Sequence, residues 1–162
     1  MKQRRLSPSY ELTYQRLSFE RRTLPLSSVL KGLERFLEER YRDAYSFSYT
    51  ASSSYANLSA EGLAFLLREV LQAVLGRQTV HIQAEEDSGV FRIKLSAENG
   101  IPLELGQLRT LTLAASQSGI RLSKGEDRLT LTFETFEESS FFVYACSETD
   151  FYSLLAFMFD KM

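Results

Sequence analysis

The most restrictive feature of this sequence is a change of hydrophobic period in the middle of the chain. Residues 60–75 place apolar side chains three and four positions apart, which predicts a helix, and Gly76 follows where a C-cap belongs. Residues 79–85 and 90–97 instead alternate apolar and polar side chains around the turn residues 87–89, which predicts a β-hairpin. Single helices mixed with hairpins in this way indicate an α+β fold.

The flanking sequence continues the same two periods. Pro25 and Ser59 stand just before predicted helices, where each is favoured, and Gly119 stands where a helix ends. Helices are predicted at 26–42, 60–75, 104–118 and 149–161, and strands at 44–50, 79–85, 90–97, 119–124, 128–136 and 140–146, with a loop over 51–60.

This element order predicts an α+β fold, a two-layer sandwich of a mixed β-sheet with helices on one face. The covered face is expected to be lined by Val80, Ile82, Phe91, Ile93, Leu95, Leu131 and Phe133. A chain of 162 residues without an internal repeat is expected to bury one hydrophobic core. We divide it into an arm over 1–24, a main domain over 25–147 and a C-terminal helix over 148–162.

Cysteine and histidine counts exclude several kinds of site. The single cysteine, Cys146, rules out an internal disulfide and a multi-cysteine zinc site, and is expected to be a buried thiol. The single histidine, His81, rules out His-rich metal sites. Apolar runs stay well below the ~20 residues that span a bilayer, and the basic N-terminus lacks the apolar stretch of a secretory signal. A cytoplasmic protein without a transmembrane segment is therefore expected.

Four segments, together with the element order, resemble the ATP-binding domain of the GHKL superfamily, which includes sensor histidine kinases. The junction between a kinase dimerisation helix and its ATPase domain is similar to RLSFERRTLPLSSVLKGLERFLEERYRDA, and the N-box helix is similar to EGLAFLLREVLQAVLG. The G1 box resembles LSAENGIPLEL, and the closing strand resembles SSFFVYA. The similarity covers residues 15–146. It implies a Bergerat-type fold, ATP with Mg²⁺ as cofactor, and a role in two-component signal transduction.

The resemblance assigns candidate nucleotide-binding residues to the second predicted helix. Glu69 falls at the acidic position of the N-box, and the asparagine that holds Mg²⁺ one turn later falls on Ala73. Ala73 offers no oxygen ligand, while Gln72 is a metal candidate if the alignment shifts by one residue. Alternatively, Glu69 is a solvent-facing charge beside Arg68.

A second group of candidates follows the predicted hairpin. The resemblance places Glu98, Asn99 and Gly100 at the G1 box, where Glu98 would accept the adenine amino group and Gly100 would let the backbone approach the base. Glu98 is one methylene longer than the usual aspartate, which moves the acceptor. The alternative is a simple strand-to-helix turn in which Asn99 and Gly100 supply positive φ.

The lid of the family is absent from the sequence. Between Ile101 and Gly119 there is one glycine, Gly106, and no Gly-rich run that could cradle phosphates. Lys94, Arg109 and Lys124 are the cations that could meet a phosphate as point charges. A phosphoacceptor is also not predicted, because His81 lies in a strand rather than on a helix beside an acid.

These departures predict a degenerate GHKL domain, a pseudoenzyme with weak or no ATP binding that acts by binding protein partners. Turnover is not expected, and Glu69 is the single candidate for a catalytic role. The alternative is a functional ATP-binding domain of a sensor histidine kinase or related ATPase. Titration with ATP and ADP, with and without Mg²⁺, separates the two.

The two ends of the chain indicate a partner surface. Residues 151–159 carry seven large apolar or aromatic side chains, more than one helix face requires, and residues 6–22 carry six. Packing of both ends against each other would create a homodimer surface, or the ends cover each other within one monomer. The arm is basic, with six cations against two acids over residues 1–22, but lacks the aromatic residues interleaved with cations that bind single strands, so no nucleic-acid partner is expected.

Overall fold

The computed structural model describes residues 17–50, 52–74, 77–137 and 146–161. Its helices in these ranges are α1 (Leu26–Tyr41), α2 (Ala60–Val74), α3 (Leu105–Ser118) and α4 (Glu148–Lys161). Its strands are β1 (Arg22–Pro25), β2 (Tyr45–Tyr49), β3 (Tyr55–Leu58), β4 (Val80–Asp87), β5 (Val90–Ala97), β6 (Arg121–Lys124) and β7 (Arg128–Glu134).

Five strands form one mixed sheet in the order β2-β4-β5-β7-β6. The β2–β4 pair is parallel and the other three pairs are antiparallel. Alternate strand residues are buried and belong to the same apolar cluster as the helices, while the opposite face exposes polar residues such as His81 and Glu85. All seven apolar residues predicted to line the covered face are buried. The α+β sandwich with helices on one face of a mixed sheet is thus confirmed.

The β4–β5 hairpin follows the predicted turn. Ser88 and Gly89 both have positive φ, 53° and 78°, as a two-residue type I′ turn requires. The register pairs Ile82 with Leu95 and Ala84 with Ile93, so both apolar sets point to the core.

Helix boundaries follow the predicted caps closely. The amide of Gly62 donates to Ser59 Oγ at 3.0 Å, so Ser59 is the N-cap of α2. At the other end of the helical layer, Gly119 has φ 86° and ends α3. The predicted C-cap Gly76 lies outside the described residues, as does the predicted closing strand except for Cys146, which is in irregular backbone.

One pair of strands was not foreseen, and the predicted loop over 51–60 is wrong in part. β3 lies within that loop and pairs antiparallel with β1, with Thr23 opposite Asn57. Both strands have four residues, and their sequence separation hides the pairing from any local pattern. Residues 22–24, assigned to the arm, are therefore part of the fold.

Helix α4 runs parallel to α1 and also packs against α2. It approaches α1 closely at Gly32, where an added Cβ would lie 2.8 Å from the carbonyl oxygen of Glu148. Further along, Phe36 contacts the rings of Tyr152 and Phe159. The apolar side chains of α4 are thus covered largely by the rest of the chain, although Phe157 remains 51% exposed.

Candidate functional site

Helix α2 carries the first group of predicted site residues, and it is buried on nearly all sides. Every residue from Gly62 to Leu71 is buried, because α3 and α4 pack against this helix and its apolar side chains share one core with those of the sheet. Its N-terminus touches the end of α3, where a Cβ on Gly62 would lie 1.8 Å from Ser118 Oγ. Side-chain positions along α2 are consequently determined by packing.

Glu69 is buried and forms an ion pair with the neighbouring Arg68. The two residues are 4% and 6% exposed, so the alternative of a solvent-facing charge is wrong. Burial raises the pKa of the nearby Tyr41 hydroxyl to about 12. The positive charges of Arg40 and Arg68 act in the opposite direction and lower this pKa. The carboxylate of Glu69 is therefore held by a cation inside the helical layer.

The other two candidates on α2 lie in the last turns of the helix. Gln72 is exposed and Ala73 is partly buried against the core. The methyl group of Ala73 cannot ligate a hard cation, which takes oxygen ligands. Of the three predicted residues on this helix, Gln72 is the one whose polar group faces water.

The second group of candidates forms the turn between β5 and α3. Glu98 and Asn99 are exposed, and Gly100 has φ 79°, a conformation that favours glycine. The amide of Gly100 donates to the carbonyl of Ala97 at 3.0 Å, which closes the turn. Positive φ at Gly100 was expected from the simple turn, while the expected positive φ at Asn99 is not found.

Gln78 joins the two groups and was missed at the sequence level. Its side-chain Nε2 donates to the carbonyl of Gly100 at 2.9 Å, and its Oε1 accepts from the amide of Asn99 at 2.9 Å. Its own amide donates to the carbonyl of Val74 at the end of α2, at 3.3 Å. The hairpin register could have found it, because Val80 pairs with Ala97 and extension by two residues brings Gln78 opposite Asn99.

The connection from β5 to α3 is short, as the missing lid predicts. Residues 98–104 alone separate Ala97 from Leu105, and the first turn of α3 is closed by a capping box. The amide of Glu104 donates to Gln107 Oε1 at 3.1 Å, and the side chain of Glu104 accepts in return from the amide of Gln107. A carboxylate thus occupies the position where a helix N-terminus would otherwise attract a phosphate.

The remaining candidates lie apart from these two groups. Lys94 is paired with Glu85 at 2.7 Å, Lys124 donates to a neighbouring carbonyl, and Arg109 is exposed on α3. His81 is exposed in β4, with its Nδ1 2.7 Å from the hydroxyl of Ser46.

The thiol of Cys146 is buried as predicted, and burial raises its pKa to about 11. In the parts of the chain that the structure describes, no three acidic, histidine or cysteine side chains converge as a metal site would need.

Comparison with known proteins identifies the fold. No protein-family model and no curated protein matches the sequence. Among solved structures, the nucleotide-free catalytic domain of histidine kinase ThkA superimposes with a TM-score of 0.51 at 13% identity, over 73% of this chain and 97% of that one. The Acinetobacter baumannii histidine kinase AdeS gives a TM-score of 0.53 at 14% identity, over 78% and 73%.

The chain therefore has the fold of a histidine kinase catalytic domain, and the predicted resemblance is confirmed at this level. Within the described ranges, no helix is long and apolar enough to cross a membrane.

Proposed function

We propose that this histidine-kinase-like domain does not turn over ATP and acts in signalling as a protein-interaction module. The observation that carries the proposal is the burial of Glu69 against Arg68. A general base or water-positioning carboxylate must reach the reacting group, and a carboxylate engaged by a neighbouring guanidinium inside the core does not. Glu69 was the single candidate for a catalytic role, and in this position its carboxylate is not available for one.

The residues present also do not fit Mg²⁺ and a triphosphate. Ala73 supplies no oxygen at the position expected to hold the ion. The carboxylate of Glu104 caps α3 where backbone amides would meet phosphate, and the seven residues of the β5–α3 connection leave no lid to close over it. We accordingly assign no catalytic step to this chain.

A functional ATP-binding domain is the competing proposal, and one observation favours it. Gln78 holds the end of α2 and the β5–α3 turn together through three hydrogen bonds. A nucleotide bound between these segments would place its base near Glu98 and Gly100 and its phosphates toward Glu69, Gln72 and Ala73. The hydrogen bonds of Gln78 would then hold the two parts of such a site in a fixed relative position.

Thermal denaturation with ATP and ADP, each with and without Mg²⁺, separates the two proposals. A Kd of about 10 μM at millimolar ligand would add about 2.7 kcal/mol to the free energy of unfolding and raise Tm by roughly 5–10 °C. We expect a shift within experimental error for all four conditions. A Mg²⁺-dependent rise of several degrees would contradict the pseudoenzyme proposal.

Ala73→Asn provides the matched variant for this titration. If a nucleotide site persists, the added amide oxygen should strengthen Mg²⁺-dependent binding, because it restores a metal ligand one turn after Glu69. We expect no gain, since Glu69 remains engaged by Arg68. Gln117→Asn, at an exposed position of α3 away from the candidate site, controls for the effect of an asparagine in a helix.

A further inference from the structure

A cleft of about 990 Å³ lies at the end of the sheet opposite to the β5–α3 turn. It is bordered by the first residues of β5 and β6 and the last residues of β7. β5 starts at this cleft with Val90 and reaches the turn after Ala97, so about 20 Å of extended strand separates the two places. The cleft is therefore independent of the candidate nucleotide site.

Two arginines flank a threonine in the lining of the cleft. Thr132 in β7 pairs directly with Arg92 of β5 on one side and with Arg121 of β6 on the other. Residues opposite each other in a sheet point to the same face, with neighbouring strands about 5 Å apart. The Cα atoms of the two arginines are thus about 10 Å apart, close enough for both guanidinium groups to reach one ligand above the Thr132 hydroxyl.

In the described part of the chain, neither Arg92 nor Arg121 is engaged in a close ion pair, although Glu85 lies opposite Arg92 and interacts with its charge at longer range. Glu85, which pairs with Arg92 in the sheet, is bonded to Lys94 at 2.7 Å. Among the described residues, the ion pairs include neither Arg92 nor Arg121. Among the described residues that line the cleft, Glu134 is the acidic one, and it is exposed.

A third arginine in the cleft has a structural task. Arg21 Nη2 donates to the carbonyl of Ser116 at 3.1 Å and so satisfies an acceptor at the C-terminus of α3. Its stem also packs within 3.4 Å of the Cβ position of Gly119. Arg21 adds positive charge to the wall while Arg92 and Arg121 keep their donors available to a ligand.

We propose that this cleft binds the phosphate group of a small anionic ligand between Arg92 and Arg121. Two guanidinium groups offer paired N–H donors that match phosphate oxygens, and Thr132 adds a hydroxyl donor between them. The volume is within the range of small-molecule sites.

Titration with pyrophosphate at constant ionic strength, followed by backbone amide chemical shifts, tests the proposal. We expect saturable shifts at Arg92, Arg121 and Thr132, and a smaller response to orthophosphate, which has fewer oxygens to bridge both arginines. Arg92→Gln and Arg121→Gln should each weaken binding about tenfold, because each removes a charged hydrogen-bond donor. Glu134→Gln should tighten binding, because it removes a carboxylate from the lining of the cleft.

Lys124→Gln is the matched control, because it removes the same charge from β6 outside the cleft. Its affinity for pyrophosphate should stay within about twofold of the unchanged protein. Equal losses in Lys124→Gln and Arg121→Gln would mean that β6 carries cations simply to protect a sheet edge, and would overturn the proposal.

Binding that survives both arginine changes would place the phosphate elsewhere and also overturn the proposal. Should either glutamine variant fail to fold, Arg92→Lys and Arg121→Lys preserve the charge and remove the planar fork. Weaker pyrophosphate binding by these lysine variants supports the proposal, and unchanged binding refutes the paired-arginine site.

Discussion

At the residue scale, the ion pair of Arg68 and Glu69 connects the candidate site to the stability of the fold. Both charges have left water, and their mutual contact offsets part of the desolvation cost. Removal of one partner leaves the other charge in a medium that penalises it. Breaking the pair therefore lowers the free energy of unfolding by far more than the intact pair adds to it.

Glu69→Ala is therefore expected to lower the free energy of unfolding by about 3 kcal/mol, measured by urea denaturation. Arg68→Met with Glu69→Leu should recover most of that loss, because the volume is filled and no charge remains buried. Glu85→Ala breaks an exposed pair with Lys94 and should change stability little. Equal effects of Glu69→Ala and Glu85→Ala would contradict the assignment.

The sequence predicted helix α2 accurately but not the burial of its charged residues. The apolar positions of residues 60–75 define one face, and on that basis Arg68 and Glu69 can be placed at the solvent side. In the structure, α4 packs against α2 from a position more than seventy residues later. No local pattern around Glu69 contains that information.

At the scale of elements, Gly62 sets how closely α2 and α3 approach. Gly62→Ala should destabilise the protein by about 1–3 kcal/mol, because the new Cβ would overlap Ser118 Oγ at 1.8 Å. Ser118→Gly should restore part of the loss in the double variant. Gly106→Ala in α3 is the control: with no atom within 4 Å, it should be neutral or gain up to about 1 kcal/mol in the same unfolding assay.

Glu86 ties β4 to β7 and to the segment before β3. Its carboxylate accepts bonds from Thr135 and from the hydroxyls of Ser54 at 2.8 Å and Ser52 at 3.0 Å. These bonds, with Thr135 first, lower the pKa of Glu86 below its ordinary value of 4.5. Since the folded state lowers this pKa, the contribution to stability is present above pH 4.5 and is lost as pH falls through the lowered value.

Glu86→Gln is expected to reduce stability at pH 7 and to flatten the dependence of unfolding free energy on pH below about 4.5. Urea denaturation at several pH values measures both effects. Glu126→Gln, an exposed glutamate before β7, serves as the control. A pH profile of Glu86→Gln parallel to that of the unchanged protein would count against the hydrogen-bonded role.

Short strands were the elements least accessible from the sequence. β1 and β3 have four residues each, and β3 follows a run of serines that is typical of a loop. By contrast, β4 and β5 have eight residues each and a strong turn, and their predicted pairing is confirmed. β6 is equally short but was predicted, since it pairs with β7, the next strand along the chain. β1 and β3 have neither length nor a partner close in sequence.

At the scale of the whole molecule, self-association remains a prediction that depends on Phe157 and the N-terminal arm. Light scattering at high concentration should give about twice 18.5 kDa for the intact chain. Phe157→Ser should shift the mass toward the monomer, because it removes the most exposed ring of α4, whereas Ser153→Ala on the same helix should not. A monomer for the intact chain would exclude the dimer.

The order in which the chain is synthesised gives the packing of α4 a further consequence. α1 and α2 leave the ribosome long before residues 148–161, which cover them in the folded protein. Until then Phe36 and its neighbours lack a cover, so folding cannot be completed on the growing chain before α4 emerges. A premature stop codon ahead of α4 should therefore yield an aggregation-prone, chaperone-bound fragment and not a shorter folded domain.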